Sequence, residues 1–130
     1  MKIEVLTRFP ELVEQAGLHC MPRIAVESGT LQLTTRNPRH CSGNKWRRVD
    51  GRPYGGGPGM VMEAEPLAAA IATSKEALGP DKAKVKVIGL SPQGEPLTQQ
   101  WVERLAQEAA LVFVCGRYEG IDERFVRTQL

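Results

Sequence analysis

The residues best suited to chemistry form one run near the end of the chain, residues 116–124, Gly-Arg-Tyr-Glu-Gly-Ile-Asp-Glu-Arg. They follow an apolar segment, residues 111–115, that is typical of a buried strand. Because ligands of open α/β sheets bind where strands end, this run lies where a ligand would be met. Glu119, between Tyr118 and Gly120, has no evident structural duty and is the first candidate for acid–base work.

The charged neighbours of this glutamate have competing interpretations. Asp122 and Glu123 are also candidate acid–base groups, but they stand where acids cap a helix and meet the positive end of its dipole. Arg117 and Arg124 could hold phosphate, or they could pair with those acids on the surface. Cys115 ends the apolar strand, and we expect it in the core rather than as a nucleophile.

A second unusual segment is residues 52–60, Arg-Pro-Tyr-Gly-Gly-Gly-Pro-Gly-Met. Glycine lets a backbone approach a ligand closely, and the two prolines stiffen both ends of the glycine run. The segment is not a Walker A loop, since no Gly-Lys-Ser/Thr follows. It is not a GxGxxG motif either, since Met62 stands where the third glycine would be. It is therefore either a binding loop of another kind or a flexible tether.

Residues 91–94, Ser-Pro-Gln-Gly, follow a predicted strand at residues 85–90 and, taken alone, form a plain turn. If that strand and residues 111–115 are parallel neighbours, the turn and the 116–124 run border one crevice. Such a crevice suits an adenine or a ribose better than a triphosphate, because neither loop supplies a lysine.

The elements that must position these loops alternate along the chain. Apolar patterning predicts strands at residues 2–7, 31–35, 85–90 and 111–115. It predicts helices from Pro10, at residues 22–28, at 65–78 with an end at Gly79-Pro80, from Thr98 to about 108, and at 121–130. The fourth helix should face inward with Trp101, Val102, Leu105 and Ala109. The alternation predicts an α/β fold, a mostly parallel sheet with flanking helices.

Composition limits the class of protein. A chain of 130 residues, 42% hydrophobic and 25% charged, is expected to form one globular domain. It has no apolar run of membrane length and no signal peptide, so we expect a cytoplasmic protein without a membrane partner. Three scattered cysteines and two histidines make a structural zinc site unexpected and fit a reducing compartment.

Residues 36–52 are strongly basic. They hold six Lys/Arg against one acid, Asp50, which gives this stretch a charge of +5 and leaves −3 for the rest of the chain. No periodicity survives from residue 36 to residue 59, so this long irregular stretch is either disordered or functional. The charge favours a polyanion site, and the alternative is a solvated loop.

Together these segments resemble a known family, the bacterial tRNA (guanine-N1)-methyltransferases. The resemblance is carried by residues 52–60, 90–94 and 116–124, by the opening Arg-Phe-Pro-Glu of residues 8–11, and by Val49-Asp50. The order and spacing match along all 130 residues. The resemblance implies a SPOUT-type trefoil-knot α/β domain, although a knot breaks the general rule against threaded chains. It further implies methyl transfer from S-adenosylmethionine to N1 of the guanosine 3′ of the tRNA anticodon, by a homodimer whose active site lies at the subunit interface.

The resemblance also implies roles for individual residues. It places Glu119 near the target guanine, to position the guanine or a metal ion, and it keeps magnesium open as a second cofactor. The residues implied in cofactor binding are Leu90, Ser91, Pro92, Gly116, Tyr118 and Ile121. Those implied in tRNA binding are Arg47, Arg48, Arg52, Gly59, Arg117 and Arg124. Gly89 departs from the aromatic residue usual in the family, which is expected to loosen packing near the adenine.

Members of the family continue for about as much chain again. By that resemblance, residues 1–130 are the N-terminal S-adenosylmethionine-binding domain, and the general base and a C-terminal tRNA-binding domain belong to the rest. We therefore expect little or no turnover by this chain alone, and a sheet that exposes an apolar face and an edge. The alternatives are a non-catalytic RNA-binding or dimerisation module and, more distantly, a nucleotide-binding α/β protein unrelated to tRNA.

Overall fold

A computed structural model describes residues 1–79 and 84–130. The strands are β1 (Lys2–Leu6), β2 (Gln32–Arg36), β3 (Asp50–Gly51), β4 (Val61–Met62), β5 (Val85–Leu90) and β6 (Ala110–Cys115). The helices are α1 (Pro10–Gly17), α2 (Cys20–Glu27), α3 (Ala64–Leu78), α4 (Gln99–Ala106) and α5 (Glu123–Gln129), with a 3₁₀ helix at Pro38–Cys41. Within the two described ranges, no helix is long and apolar enough to cross a membrane.

The main sheet has the order β2-β1-β6-β5, and every neighbouring pair is parallel. Leu6 of β1 pairs with Arg36 of β2 and with Val114 of β6, while Leu90 of β5 pairs with Cys115 of β6. The carboxyl ends of all four strands therefore meet at one edge of the sheet. This arrangement confirms the predicted α/β class with a mostly parallel sheet.

One face of the sheet is closed by α3 and α5. The buried residues of α3 recur at helical spacing and include Leu67, Ala70, Ile71, Ser74 and Leu78. The four apolar ones pack with Val112 and Val114 of β6 and with Phe125 of α5, which is 1% exposed, to form the core of the molecule.

The other face is far more open. The β1-to-β2 and β5-to-β6 connections step in the same direction across the sheet, so right-handed crossovers place their helices on one common face. Neither α2 nor α4 contains a buried residue. The inward orientation predicted for α4 is therefore wrong for Val102 and Ala109, which are exposed, while Trp101 and Leu105 are half-buried. The spacing is helical, but no residue of α4 is buried against the sheet.

A buried ion pair joins β1 to β2. The Glu4 side chain is 2% exposed, and its Oε1 lies 2.7 Å from Nε of Arg36. The same Nε donates to Oγ of Ser74 on α3 at 3.2 Å, and that hydroxyl donates to the carbonyl of Ala70 at 2.9 Å. Because a buried charge must be paired, Arg36 stabilises the fold and is withdrawn from the basic surface that its sequence neighbours form.

Element boundaries differ from the predicted ones by one or two residues in most places. Helix α2 begins two residues early at Cys20, and α5 begins at Glu123 because Asp122 is its N-cap. The stretch from 36 to 59 is less irregular than predicted, since it contains the 3₁₀ helix and β3, and the short β4 that follows was not predicted. Gly79 ends α3 with φ 153°, whereas the predicted stop at Pro80 lies outside the described residues.

Candidate functional site

The loop after β6 is held by backbone hydrogen bonds to residues next to β4. The amide of Glu119 donates to the carbonyl of Met60 at 3.0 Å, and the amide of Met62 donates to Gly120 at 2.9 Å. Asp122 donates back to Met62 at 2.9 Å, and Met62 forms a parallel bridge with Ile121. The 116–124 run is thus fixed onto the end of the glycine-rich segment, which the sequence did not predict.

Met62 also supports this loop with its side chain. It is fully buried, and its Sδ accepts a hydrogen bond from the amide of Arg117 at 3.3 Å. The backbone of Tyr118 adopts φ 61°, a left-handed conformation that is costly for a side chain of this size. Such a conformation persists where the surrounding contacts determine it.

The glycine-rich segment approaches the candidate acid directly. A Cβ added to Gly59 would overlap the Glu119 side chain, and the backbone of Gly59 has φ +79°. Gly55, Gly56 and Gly57 also have positive φ, but an added Cβ would meet nothing within 4 Å there. Position 59 therefore requires glycine for two reasons, its left-handed backbone and the lack of room for a side chain. The structure brings this predicted tRNA-binding residue into contact with Glu119.

Tyr118 joins two further segments at the same edge of the sheet. Its hydroxyl donates to Oδ1 of Asp50 at 3.1 Å, and the Arg8 guanidinium lies 5.3 Å from its ring centroid. The Arg117 guanidinium similarly lies 5.0 Å from the centroid of the Phe9 ring. Sequence analysis did not assign Arg8, Phe9 or Asp50 to the site, although each belongs to a segment that carries the family resemblance.

Arg8 has an unusual environment. Its Nε atom is buried and has no hydrogen-bond partner among the described residues, although the side chain stacks on an aromatic ring. Arg117 likewise meets an aromatic ring rather than an acid of its own loop. The cations thus hold two loops together across the edge of the sheet through ring contacts.

The loop after β5 contrasts with the loop after β6. Leu90 is 53% exposed, and every residue from 91 to 100 is exposed. The Ser91 side chain accepts from the amide of Gln93 at 3.2 Å, and its carbonyl accepts from Gly94 at 3.1 Å. These local bonds form a turn, and Thr98 caps α4 as predicted, accepting from the amide of Trp101.

The two loops leave neighbouring parallel strands, because Leu90 pairs with Cys115. This is the arrangement under which the two loops were expected to border one crevice. A Cβ added to Gly116 would meet only Ile121, at 3.5 Å, so the backbone here is open to close approach. The two described cavities, of about 210 and 440 Å³, lie at the opposite edge of the sheet and share no residue with these loops. Residues 90–100 and 116–119 are exposed, so the two loops present an open surface.

Gly89 lies close to the last residue of the chain. An added Cβ would overlap the Leu130 side chain, so Leu130 occupies the space into which a larger residue would project. An aromatic residue at this position would require Leu130 to move. That the glycine loosens packing near an adenine stays a prediction.

The acids at the start of α5 have the structural roles considered for them. Asp122 accepts from the amide of Arg124 at 2.9 Å and forms an ion pair with its guanidinium, with 2.6 Å between Oδ2 and Nη2. The hydrogen bonds from Arg124 lower the pKa of Asp122, and the carboxylate in turn raises the pKa of Arg124. Glu123 accepts from Nε of Arg127 at 3.0 Å. A contact of Arg124 with tRNA stays a prediction.

Cys115 is half-buried at the end of β6, where burial raises the pKa of its thiol. A raised pKa leaves less thiolate at neutral pH, which agrees with the expectation that this cysteine is not a nucleophile. Within residues 1–79 and 84–130, no group of three His, Cys, Asp or Glu side chains is placed to hold a metal ion. Magnesium at Glu119 stays a prediction.

Three of the basic residues predicted to meet tRNA belong to a different segment from the two loops, while Arg117 and Arg124 belong to the loop after β6 and the start of α5. Arg47, Arg48 and Arg52 are exposed, on the segment that leads into and out of β3. Arg48 donates from Nη2 to the carbonyl of Asp50 at 3.4 Å, and Asp50 binds Tyr118. The basic segment is thus connected to the candidate site through Asp50.

Polar loops gathered at the carboxyl edge of an open parallel sheet define an α/β protein of the class that binds its ligand at strand ends. Comparison with family models gives a match over residues 1–130 to tRNA (Guanine-1)-methyltransferase TrmD. The chain belongs to this family.

Individual relatives agree with that assignment. The tRNA (guanine-N(1)-)-methyltransferase of Shewanella loihica is 52% identical over 130 residues, which are 100% of this chain and 51% of the relative. That of Pseudomonas entomophila is 46% identical over the same shares. The crystal structure of the tRNA (m1G37) methyltransferase from Aquifex aeolicus superposes with a TM-score of 0.85 at 32% identity, over 98% of this chain and 56% of that one. The match confirms the SPOUT-type α/β class, and the chain spans about half the length of the curated relatives it matches.

Proposed function

We propose that the protein transfers a methyl group from S-adenosylmethionine to N1 of the guanosine 3′ of a tRNA anticodon. Membership of the family supports the reaction, and so do the names of its relatives. The observation that carries the proposal is the close approach of Gly59 to Glu119, because it joins the glycine-rich segment and the loop after β6 in one site. Residues 1–130 are then the cofactor-binding domain of the enzyme.

The residues at the carboxyl edge fit this cofactor. Leu90 offers exposed apolar surface for an adenine, and the exposed backbone around Ser91 and Pro92 offers amide and carbonyl groups. Gly116 leaves its own backbone open to a ligand. The bound cofactor would supply an electrophilic methyl group on a sulfonium, which is already a good leaving group. The work left to the protein is to hold donor and acceptor in line.

Glu119 is the residue proposed to position the guanine. Its backbone is fixed by Met60, and its side chain lies against Gly59, so the carboxylate has a defined place in the site. N1 of guanine carries a proton at neutral pH, and a base must remove it as the new bond forms. The family resemblance assigns that base to the part of the relatives that this chain does not span. Residues 1–130 alone should therefore turn over slowly, if at all.

The test has two measurements. Calorimetric titration of the 130-residue chain with S-adenosylmethionine should show binding, and methyl transfer to a cognate tRNA transcript should be far slower than by a full-length relative. A chain that binds ATP but not S-adenosylmethionine would contradict the proposed cofactor. Turnover equal to that of the full-length relative would contradict the assignment of the base. RNA binding without cofactor binding would favour the non-catalytic module.

The same resemblance supports a homodimer. Helices α1 and α2 and the turn between them expose large apolar side chains, among them Leu12, Leu18, Met21 and Ile24, each more than half exposed. An exposed apolar surface of this kind is typical of an interface with another protein subunit. Analytical ultracentrifugation of the full gene product should give a dimer. A monomer at the concentration of the activity assay would contradict this part of the proposal.

A further inference from the structure

Trp46 is one of the most exposed large side chains in the described part of the molecule. It is 73% exposed, and Nζ of Lys45 lies 5.4 Å from the centroid of its ring. A single exposed apolar residue needs no explanation by itself. What distinguishes Trp46 is the segment that carries it, which is built from hydrogen bonds rather than from packing.

The backbone around Trp46 is held by polar side chains. Oδ1 of Asn44 accepts from the amides of Trp46 at 3.0 Å and of Arg48 at 2.9 Å. Ser42 donates from its hydroxyl to the carbonyl of Arg48 at 2.6 Å. These bonds close the segment into a turn whose outward side bears the indole ring. The backbone that carries the ring is therefore already ordered, which lowers the entropic cost of binding at this position.

The backbone of Arg47 is a second indication that this segment has a defined structure. Its backbone has φ 52°, in the left-handed region, and its carbonyl accepts from Nε of Arg39 at 3.2 Å. Its amide donates to the carbonyl of Asn44 at 3.0 Å. A non-glycine residue in this conformation is uncommon, and such residues cluster at binding sites.

The chemistry of the surface indicates its ligand. Trp46 is surrounded in sequence by exposed cations. The one acid within four residues of it is Asp50, which is half-buried and accepts a hydrogen bond from Tyr118. Exposed cations flank it at Arg39, Lys45, Arg47, Arg48 and Arg52. Aromatic rings beside basic side chains are how proteins hold unpaired nucleotides, with bases stacked on the rings and phosphates met by the cations.

The position of the segment relates this surface to the proposed reaction. Trp46 is four residues from Asp50, so their backbones are at most about 14 Å apart. Asp50 accepts a hydrogen bond from Tyr118, which precedes Glu119 in the loop after β6. A nucleotide stacked on Trp46 would thus lie near the nucleotide positioned by that loop.

We propose that Trp46 is a stacking platform for an unpaired base that neighbours the target guanosine, with Lys45 and Arg47 on the adjoining phosphates. This inference rests on the proposed function, because that function supplies the RNA. It adds a substrate-specificity residue in a segment where only the arginines had been assigned.

The experiment uses the full gene product with Trp101→Phe, which removes the other tryptophan of residues 1–130. Trp101 is half-buried, and its indole N–H donates a hydrogen bond to Glu95, so Trp101→Phe has effects of its own. All other variants are therefore made in, and compared with, the Trp101→Phe protein. An anticodon stem-loop RNA with the target guanosine is the probe, and a fully paired duplex of equal length is the control. The stem-loop, and not the duplex, should quench the tryptophan fluorescence of this parent, and the quenching should be lost in Trp46→Phe.

Substitutions then separate stacking from charge. Trp46→Ala should weaken stem-loop binding by between about five-fold and a hundred-fold, with an unchanged salt dependence, and Trp46→Phe should restore most of the affinity. Lys45→Ala should instead reduce the slope of log K against log salt by about 1. Unchanged affinity in Trp46→Ala would overturn the inference. A change in sedimentation in that variant would also overturn it and would indicate a protein contact.

The outcomes for the two proposals differ. Cofactor binding, measured by calorimetry, should be the same in Trp46→Ala and in its parent. A parent that binds neither cofactor nor stem-loop would overturn both proposals. A parent that binds the cofactor and is unaffected by Trp46→Ala would overturn only the stacking platform.

Discussion

The two loops at the carboxyl edge, residues 91–98 after β5 and 116–122 after β6, are built in different ways. The loop after β6 is bonded at Met60 and Met62 and packs against Gly59. The loop after β5 is exposed throughout, and its hydrogen bonds stay within the loop or reach α4. The first loop is therefore set before a ligand arrives, whereas the second can adapt to the ligand and would bear the ordering cost of binding.

The largest expected effect is that of Met62→Ala, which attacks the support of the fixed loop. Removing this fully buried side chain should cost about 2–5 kcal/mol of unfolding free energy, from lost burial and from the cavity left behind. Met62→Leu keeps the volume and should cost less than about 1.5 kcal/mol. Urea unfolding measures both. Equal losses would mean that the sulfur, rather than packing, is what the loop needs.

A smaller effect on stability, with a larger one on activity, is expected for Gly59→Ala. The left-handed backbone should cost about 1–2 kcal/mol in this variant and equally in Gly55→Ala, whose φ of +83° is nearly the same. Only Gly59→Ala should displace Glu119, and a displacement of about 1 Å can cost roughly a hundred-fold in rate. Methyl transfer by the full gene product measures the difference. Equal rates in the two variants would remove Glu119 from the proposed site.

The charge at the end of the fixed loop should have a small, pH-dependent effect. Asp122→Ala removes the cap of α5 and should cost about 1 kcal/mol at pH 7. Asp122→Asn retains a capping oxygen and loses only the charge, so its cost should be smaller.

The sign of the pH dependence follows from the lowered pKa of Asp122. A depressed folded-state pKa contributes stability above the unfolded value of about 4, and this contribution is lost as the pH falls through the folded pKa. The gap between the wild type and Asp122→Asn should therefore close below about pH 4. A gap that persists at pH 2 would mean that the carboxylate charge is not its cause.

The smallest effect on stability is expected in the adaptable loop. Pro92→Ala should change the unfolding free energy by less than about 0.5 kcal/mol, because the residue is exposed. S-adenosylmethionine binding should nevertheless weaken, since a loop without proline has more conformations to lose. Paired melting and calorimetry test this. A large loss of stability would show that the two loops differ less than their contacts indicate.

The parts of the fold that could be predicted are those in which the sequence shows an apolar run or apolar residues at helical spacing. β5 was predicted to the residue, and β6 and α3 to within one residue, because long buried patterns have few alternatives. β3 and β4, of two residues each, are too short to leave a pattern. The burial of Arg36 could not be predicted, because it depends on the pairing of β1 with β2, which places Glu4 beside Arg36. The neighbours of Arg36 in sequence indicate only a basic stretch.

The candidate site was predicted in part for the same reason. Glu119 and Gly59 were each identified, but their contact depends on the hydrogen bonds that join residues 60–62 to 119–122. In the sequence, Met62 was notable only because it replaces the third glycine of a GxGxxG motif. Its role in supporting the loop after β6 is evident only from the fold. The ordered turn around Asn44 is made by side-chain hydrogen bonds, which hydrophobic periodicity does not predict.

The place of β1 in the centre of the sheet has a consequence for synthesis on the ribosome. One neighbour, β2, emerges soon after it, but the other, β6, pairs Lys2 with Ala110 and is made near the end of this stretch. At ordinary elongation rates, the second side of β1 stays unpaired for roughly 5–20 seconds. During that interval the nascent chain displays an apolar strand edge. The pairing that closes this edge becomes possible only after residue 115 has left the exit tunnel.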